Sequence, residues 1–258
     1  MYKLTRNHPI GVCTKIKKMN EFSYSDIFAT KGIEYLAVIS FLLLLIPFWL
    51  ILNKQKTIAE QIRNVFGSLS FNMLKIPQGL FYGKNHTWLY MEKSGVAKVG
   101  LDDLLLHLTG EVQCSFAGST GDYIHKGDLF TELTKDGKHL RILSPVSGKI
   151  MEINSVLMET PQTMNNDPYG KGWIYKIKPS NWISEVTGCY FASEATSWSE
   201  KELEKVKKFL AVSTQKYSPE YSVAIMQDGG ELCDHTLSAL PESIWKDFEN
   251  EFLLLPTA

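Results

Sequence analysis

The sequence predicts a mainly β domain set between an N-terminal transmembrane helix and a C-terminal α extension. Three observations carry that prediction. An uncharged apolar run extends from Tyr35 to Leu52. From 79 to 185, short apolar runs alternate with Gly, Asp-Gly and Pro turns. After 186, apolar residues recur at helical spacing. The expected organisation is a polar tail over 1–34, a span over 35–52, a juxtamembrane helix and linker over 53–78, the β domain over 79–185, and the α-rich extension over 186–258.

The span rests on length and flanks. Tyr35–Leu52 is long enough to cross the hydrocarbon core, with Lys31 and Glu34 before it and Lys54 and Lys56 after. Pro47 is tolerated in a spanning helix. Tyr35, Phe48 and Trp49 suit the two interfaces. A cleaved signal peptide fits poorly, because the upstream region is long and no Ala-x-Ala-like site follows Leu52. A core helix fits poorly as well, because the run is apolar on every face. Positive charges near the two ends nearly balance. The lysines and arginine of the whole tail favour an outside domain, whereas the odd number of cysteines after the span (Cys114, Cys189, Cys233) favours a reducing compartment. The expectation is a single-pass membrane protein with its soluble domain on the cytoplasmic side. After the span, Ile58, Ile62, Val65, Phe66 and Leu69 share one helical face, and Ser68 to Gln78 reads as linker.

The chain of 258 residues carries a formal charge of −1, with 21% charged residues, so no basic footprint suggests nucleic acid. Its 4 cysteines form no C-x-x-C pair, so no metal site is expected and buried thiols are.

Within the β domain, Leu80–Tyr82, Trp88–Met91 and Gly95–Val99 read as strands. Leu101–Leu108 reads as a helix opened by Asp102 and Asp103 and closed by Gly110. Glu111–Phe116 alternates. Leu129, Phe130 and Leu133 form one apolar run, and Leu140, Ile142 and Leu143 another. Lys135-Asp136-Gly137-Lys138 lies between them, and Asp-Gly there signals a tight hairpin. Ser144-Pro145-Val146-Ser147-Gly148 then bends the chain into a strand over Lys149–Ile153. Thr109-Gly110-Glu111-Val112 echoes Ser147-Gly148-Lys149-Ile150, as a quasi-twofold β sandwich would. His86 is the residue most like a catalytic base, but with no nucleophile or acid partner placed by sequence it reads as packed beside Trp88.

Several motifs now stand in order: Asn85-His86-Thr87-Trp88, Val99-Gly100-Leu101-Asp102-Asp103, Leu108-Thr109-Gly110-Glu111-Val112, Gly127-Asp128, Ser144-Pro145-Val146-Ser147-Gly148, and Asn166-Asp167-Pro168-Tyr169-Gly170 continuing to Gly172-Trp173. Over 79–185 the chain resembles the H protein of the glycine cleavage system. The resemblance implies the lipoyl-type barrel-sandwich hybrid fold. It also implies a carrier protein, without an active site of its own, that holds lipoate on a hairpin-tip lysine within Glu-Ser-x-Lys-Ala. That lysine lies seven residues before the Ser of Ser-Pro-Val-Ser-Gly. Here that position is Gly137, with Thr134 in place of the Glu and Lys138 in place of the Ala. Lys138 is the candidate lipoate-bearing residue, with Lys135 behind it. The expected cofactor is none, and lipoate is the one cofactor the resemblance admits.

In the extension, Ser199-Glu200-Lys201-Glu202 reads as a capping box opening a helix with Leu203, Val206, Phe209 and Leu210 on one face. Tyr221–Met226 reads as a strand and Gln227–Glu231 as a loop. Pro241 opens a second helix with Ile244, Trp245, Phe248 and Phe252 inward. Cys233-Asp234-His235, with no second ligand cluster, reads as a solvent-facing loop. The expected function is a membrane-anchored H-like scaffold without lipoate, docking a protein partner in a membrane redox or glycine-cleavage-like complex. The alternative is a lipoyl carrier, shuttling an aminomethyl or related group, modified at Lys138. No phosphate loop, nucleophile–base pair or metal cluster marks an independent enzyme.

Overall fold

The computed structural model describes residues 32–50, 68–217 and 232–254. The chain divides into two compact units, Met1–Ile51 and Leu52–Ala258. In the first, α1 (Gly32–Leu50) is a helix of 19 residues with exposed side chains throughout and Pro47 accommodated inside it. At 1.5 Å per residue it is about 28 Å long, close to the thickness of a hydrocarbon core. Ile51 and Leu52, the end of the expected span, lie outside the described residues, as does the whole 53–67 stretch that begins the expected juxtamembrane helix.

The second unit is built on antiparallel sheets. β1 (Ser68–Leu69) precedes a meander of β2 (Phe81–Tyr82), β3 (Thr87–Met91) and β4 (Ala97–Leu101). Trp88, Leu89, Val99 and Leu101 are buried from this meander. Gly100 is needed there, since a Cβ would lie 2.7 Å from the Trp88 indole. Asp102 caps α2 (Asp103–Thr109) by accepting from the Leu105 amide, and Gly110 closes it at φ +66°. Next come β5 (Gln113–Phe116), β6 (Tyr123–Ile124), β7 (Leu129–Lys135), β8 (Lys138–Leu143) and β9 (Gly148–Ile153). Short turns α3 (Val156–Glu159) and α4 (Thr163–Asn166) lead to β10 (Trp173–Pro179), α5 (Trp182–Val186) and β11 (Tyr190–Phe191). The long helix α6 (Ser193–Tyr217) follows, then β12 (Leu232–Cys233) and α7 (Glu242–Phe248), which continues into a π-helical turn, Glu249–Leu253.

One sheet runs β11-β2-β3-β4-β10-β9-β6, a second runs β5-β7-β8, and β1 pairs with β12. Leu89, Val99, Ile150 and Ile177 of the first sheet and Phe130, Leu133, Leu140 and Ile142 of the second share one buried cluster. Alternation in the strands therefore turns both sheets toward a common core. Leu203, Val206, Leu210, Ile244, Trp245, Phe248 and Phe252 join the same cluster, so α6 and α7 close over it.

Five expectations change. The α6 helix begins at Ser193, upstream of the capping box, and Ser199 is a buried interior residue. Ala195 and Trp198 pack with Tyr82 and Trp88, and Trp198 stacks on Tyr190 at 5.0 Å, so tertiary burial extends the helix past its local start signal. Leu69 is not on a helical face; it is fully buried in β1 opposite Leu232. The stretch read as a linker is tied down: the Lys75 amide donates to Asp103 and Tyr169 Oη donates to the Lys75 carbonyl. Cys233-Asp234-His235 is not a solvent-facing loop, because Cys233 is buried in β12 and Asp234 pairs with His107. The two echoed motifs differ in role. Gly110 ends a helix at positive φ, whereas Gly148 starts a strand where a Cβ would strike the Lys178 carbonyl. The strand read at 221–226 and the loop at 227–231 lie outside the described residues.

Candidate functional site

The β7–β8 hairpin is the place where the resemblance puts its chemistry. Leu133 and Leu140 are cross-strand partners and both are buried, which fixes the register. Lys135 pairs with Lys138 across a two-residue turn. Asp136 and Gly137 take φ +50° and +76°, the two left-handed positions of a type I′ turn. The right-handed strand twist favours this turn, and Asp-Gly supplies it at low steric cost. A Cβ at Gly137 would meet nothing within 4 Å, so the tip is open to solvent and crowding does not exclude a side chain there.

Neither neighbouring lysine is free. Lys138 Nζ donates to the carbonyls of Ser238 at 2.6 Å and Leu240 at 3.1 Å, and lies 5.2 Å from the centroid of the Trp245 ring. Lys135 Nζ donates to the Thr109 carbonyl at the end of α2, at 3.1 Å. Desolvation pulls both ammonium groups below the ordinary lysine pKa. Further along β8, the Arg141 guanidinium meets Glu249 through Nε at 3.0 Å and Nη2 at 2.7 Å, and the Arg141 amide donates to the other Glu249 oxygen at 2.6 Å. β8 is the outer strand of its sheet, so Glu249 satisfies an edge amide. Trp245 is itself fixed, donating from Nε1 to the Leu237 carbonyl at 2.6 Å.

The same C-terminal segment is pinned to α2. His107 Nδ1 lies 2.9 Å from Asp234, and its Nε2 lies 3.4 Å from Asp103. These two carboxylates raise the His107 pKa to about 9 against the opposing effect of burial. The His235 amide donates to the His107 carbonyl at 2.7 Å.

His86 is packed, as its isolation in sequence predicts. It is fully buried at φ +59°, with Nδ1 2.8 Å from Asp102 and Trp198, Phe248 and Phe252 around the ring. Burial alone would lower its pKa, but the Asp102 carboxylate outweighs that and raises it. Cys114 is buried, and burial pushes its thiol up to about 11, so it is no nucleophile at neutral pH. Among the described residues, no group of three His, Cys, Asp or Glu side chains could hold a metal ion.

The sequence placed Gly137, Lys138 and Lys135 at the tip but missed what holds the lysines. Trp245 was legible as an inward-facing residue. Its position under Lys138, the Arg141–Glu249 pair and the carbonyls of Ser238 and Leu240 depend on contacts about one hundred residues apart, for which a single sequence carries no signal. Position 137 supplies no side chain, and the amines beside it are committed to the fold. In this arrangement neither lysine beside the tip presents a free amine.

The chain is similar to several known proteins. Residues 80–202 match the family model described as Glycine cleavage H-protein. The chain is 34% identical over 112 residues to the "Probable glycine cleavage system H protein" of Pyrococcus horikoshii, covering 43% of this chain and 83% of that protein. It is 33% identical over 109 residues to the "Glycine cleavage system H protein" of Carboxydothermus hydrogenoformans, covering 42% and 83% respectively. A crystal structure of a glycine cleavage system H protein from Mycobacterium marinum aligns with TM-score 0.38 and 25% identity, over 44% of this chain and 97% of that one.

Proposed function

We propose, from the premise that this chain belongs to the glycine cleavage H-protein family, that it is a membrane-anchored member acting as a protein-interaction module rather than as a lipoyl carrier. One observation carries the reading: Gly137 stands where the family's lipoyl lysine falls, and both adjacent lysines are held by backbone carbonyls. The common core between the two main sheets supports the lipoyl-type barrel-sandwich hybrid as the scaffold. The length and full exposure of α1 support a single-pass anchor, and the buried thiols support a cytoplasmic position for the soluble domain. A scaffold of this kind serves a membrane redox or glycine-cleavage-like complex by presenting a rigid β surface to a protein partner.

The competing reading is a lipoyl carrier modified at Lys138, and the family match across the whole hairpin favours it. Intact mass of the protein from its own membranes, with peptide mapping across Thr134–Arg141, separates the two. The interaction-module reading expects an unmodified peptide. A lipoyl-sized addition on Lys138 would overturn it. For the anchor, alkaline extraction should leave the chain in the membrane pellet, and release into the supernatant would refute a span.

A further inference from the structure

The outward face of the seven-stranded sheet carries its charges in cross-strand rows. In one row, Lys98 is opposite Lys176, and each has an acid of its own: Glu92 lies 3.1 Å from Lys98 and Glu152 lies 2.6 Å from Lys176. The next row differs. Lys149 of β9 is directly opposite Lys178 of β10, both are exposed, and neither has an ion-pair partner among the described residues. Tyr123 of β6 continues the row opposite Lys149, 52% exposed, with its hydroxyl donating to Ser180 Oγ at 2.7 Å. Like charges facing each other across an antiparallel pair destabilise a sheet. Here the cost is borne at a position beside an exposed tyrosine, the residue type that anchors protein interfaces.

We propose that Lys149, Lys178 and Tyr123 form a docking surface for an acidic segment of a protein partner. This rests on the interaction-module reading and names the partner's chemistry. Charge complementarity supplies the argument: two unneutralised ammonium groups side by side take two carboxylates, and the Tyr123 ring offers apolar area next to them. An anionic membrane fits less well. Recognition of a lipid surface takes clusters of about four to eight basic residues, and this row offers two.

The test uses the full chain in phosphatidylcholine nanodiscs, with its lysines labelled with carbon-13 at Cε so that each reports separately by NMR. Acetylated hexaglutamate amide is the probe. Its addition should move the Lys149 and Lys178 signals and leave those of Lys98 and Lys176 in place, and the shifts should shrink as salt rises from about 50 to about 500 mM. Lys178→Glu should weaken the peptide about tenfold. The same change should raise Tm by about 1–3 °C, because it turns a repulsive cross-strand pair into an attractive one. A purely structural lysine pair would not separate binding from stability in this way. The proposal is overturned if the two signals do not move, if Lys178→Glu binds like the wild type or lowers Tm, or if the shifts appear only in discs containing phosphatidylserine. Lipoylation found by native mass would sink the interaction-module reading and leave these shifts to be read separately.

Discussion

Replacing Lys138 with Ala tests whether this lysine belongs to the fold or to a carrier tip. The substitution removes two charge-assisted hydrogen bonds, to the Ser238 and Leu240 carbonyls, and a cation–π contact with Trp245. The ammonium is partly exposed, so each hydrogen bond contributes about 1 kcal/mol after screening, and the aromatic contact about 0.5 kcal/mol. Relief of the desolvation that depresses the Lys138 pKa offsets part of this. The net loss is about 2 kcal/mol, which for a unit of this size lowers Tm by about 4–8 °C. Thermal unfolding of the full chain in micelles, followed by near-UV circular dichroism, reads it, since Trp245 lies beneath the lost ammonium. Lys93→Ala, at an exposed turn position, is the control and should move Tm by less than about 1 °C. If Lys138→Ala also stays within that margin, the lysine is not held by the C-terminal segment and the argument against modification fails.

Two further outcomes are expected. Gly137→Lys places an amine at the family position with no clash but in a left-handed conformation, costing about 1–2 kcal/mol. Produced in a lipoylating host, that variant should gain a lipoyl-sized mass at position 137 while the wild type stays unmodified; an unmodified variant would mean that more than the lysine has been lost. For His107, the folded pKa of about 9 lies above the ordinary 6.5, so its contribution is fully present below about pH 6.5 and disappears as pH rises through 9. The imidazole is mostly shielded, and its loss costs on the order of 2 kcal/mol at neutral pH. The Tm difference between wild type and His107→Ala should therefore narrow between pH 7 and 10, and a difference that does not change with pH refutes the two-carboxylate account.

Much of the fold was legible because its signals are local. Asp136-Gly137 between apolar runs gave the hairpin, since only certain residues tolerate consecutive left-handed positions cheaply. Asp102 and Gly110 bounded α2 through a side-chain cap and a positive-φ glycine. Where the reading failed, a distant partner had outweighed a local pattern. Trp198 packing against Tyr190 carried α6 upstream of Ser199. Leu232 drew Leu69 into a strand pair, and His107 drew Asp234 out of a loop reading.

By itself the sequence determined the apolar run of the first unit, the strand pattern and the hairpin turn. Those follow from residue types and spacings, which act within a few residues of one another. Only the tertiary structure decided what becomes of the adjacent lysines. Lys138 and its carbonyl partners at Ser238 and Leu240 lie about one hundred residues apart in the chain. They meet because Trp245, Phe248 and Phe252 are driven into the core beside β8. An ammonium group beside such a surface takes the nearest free carbonyls, and no spacing in the sequence records which ones those will be.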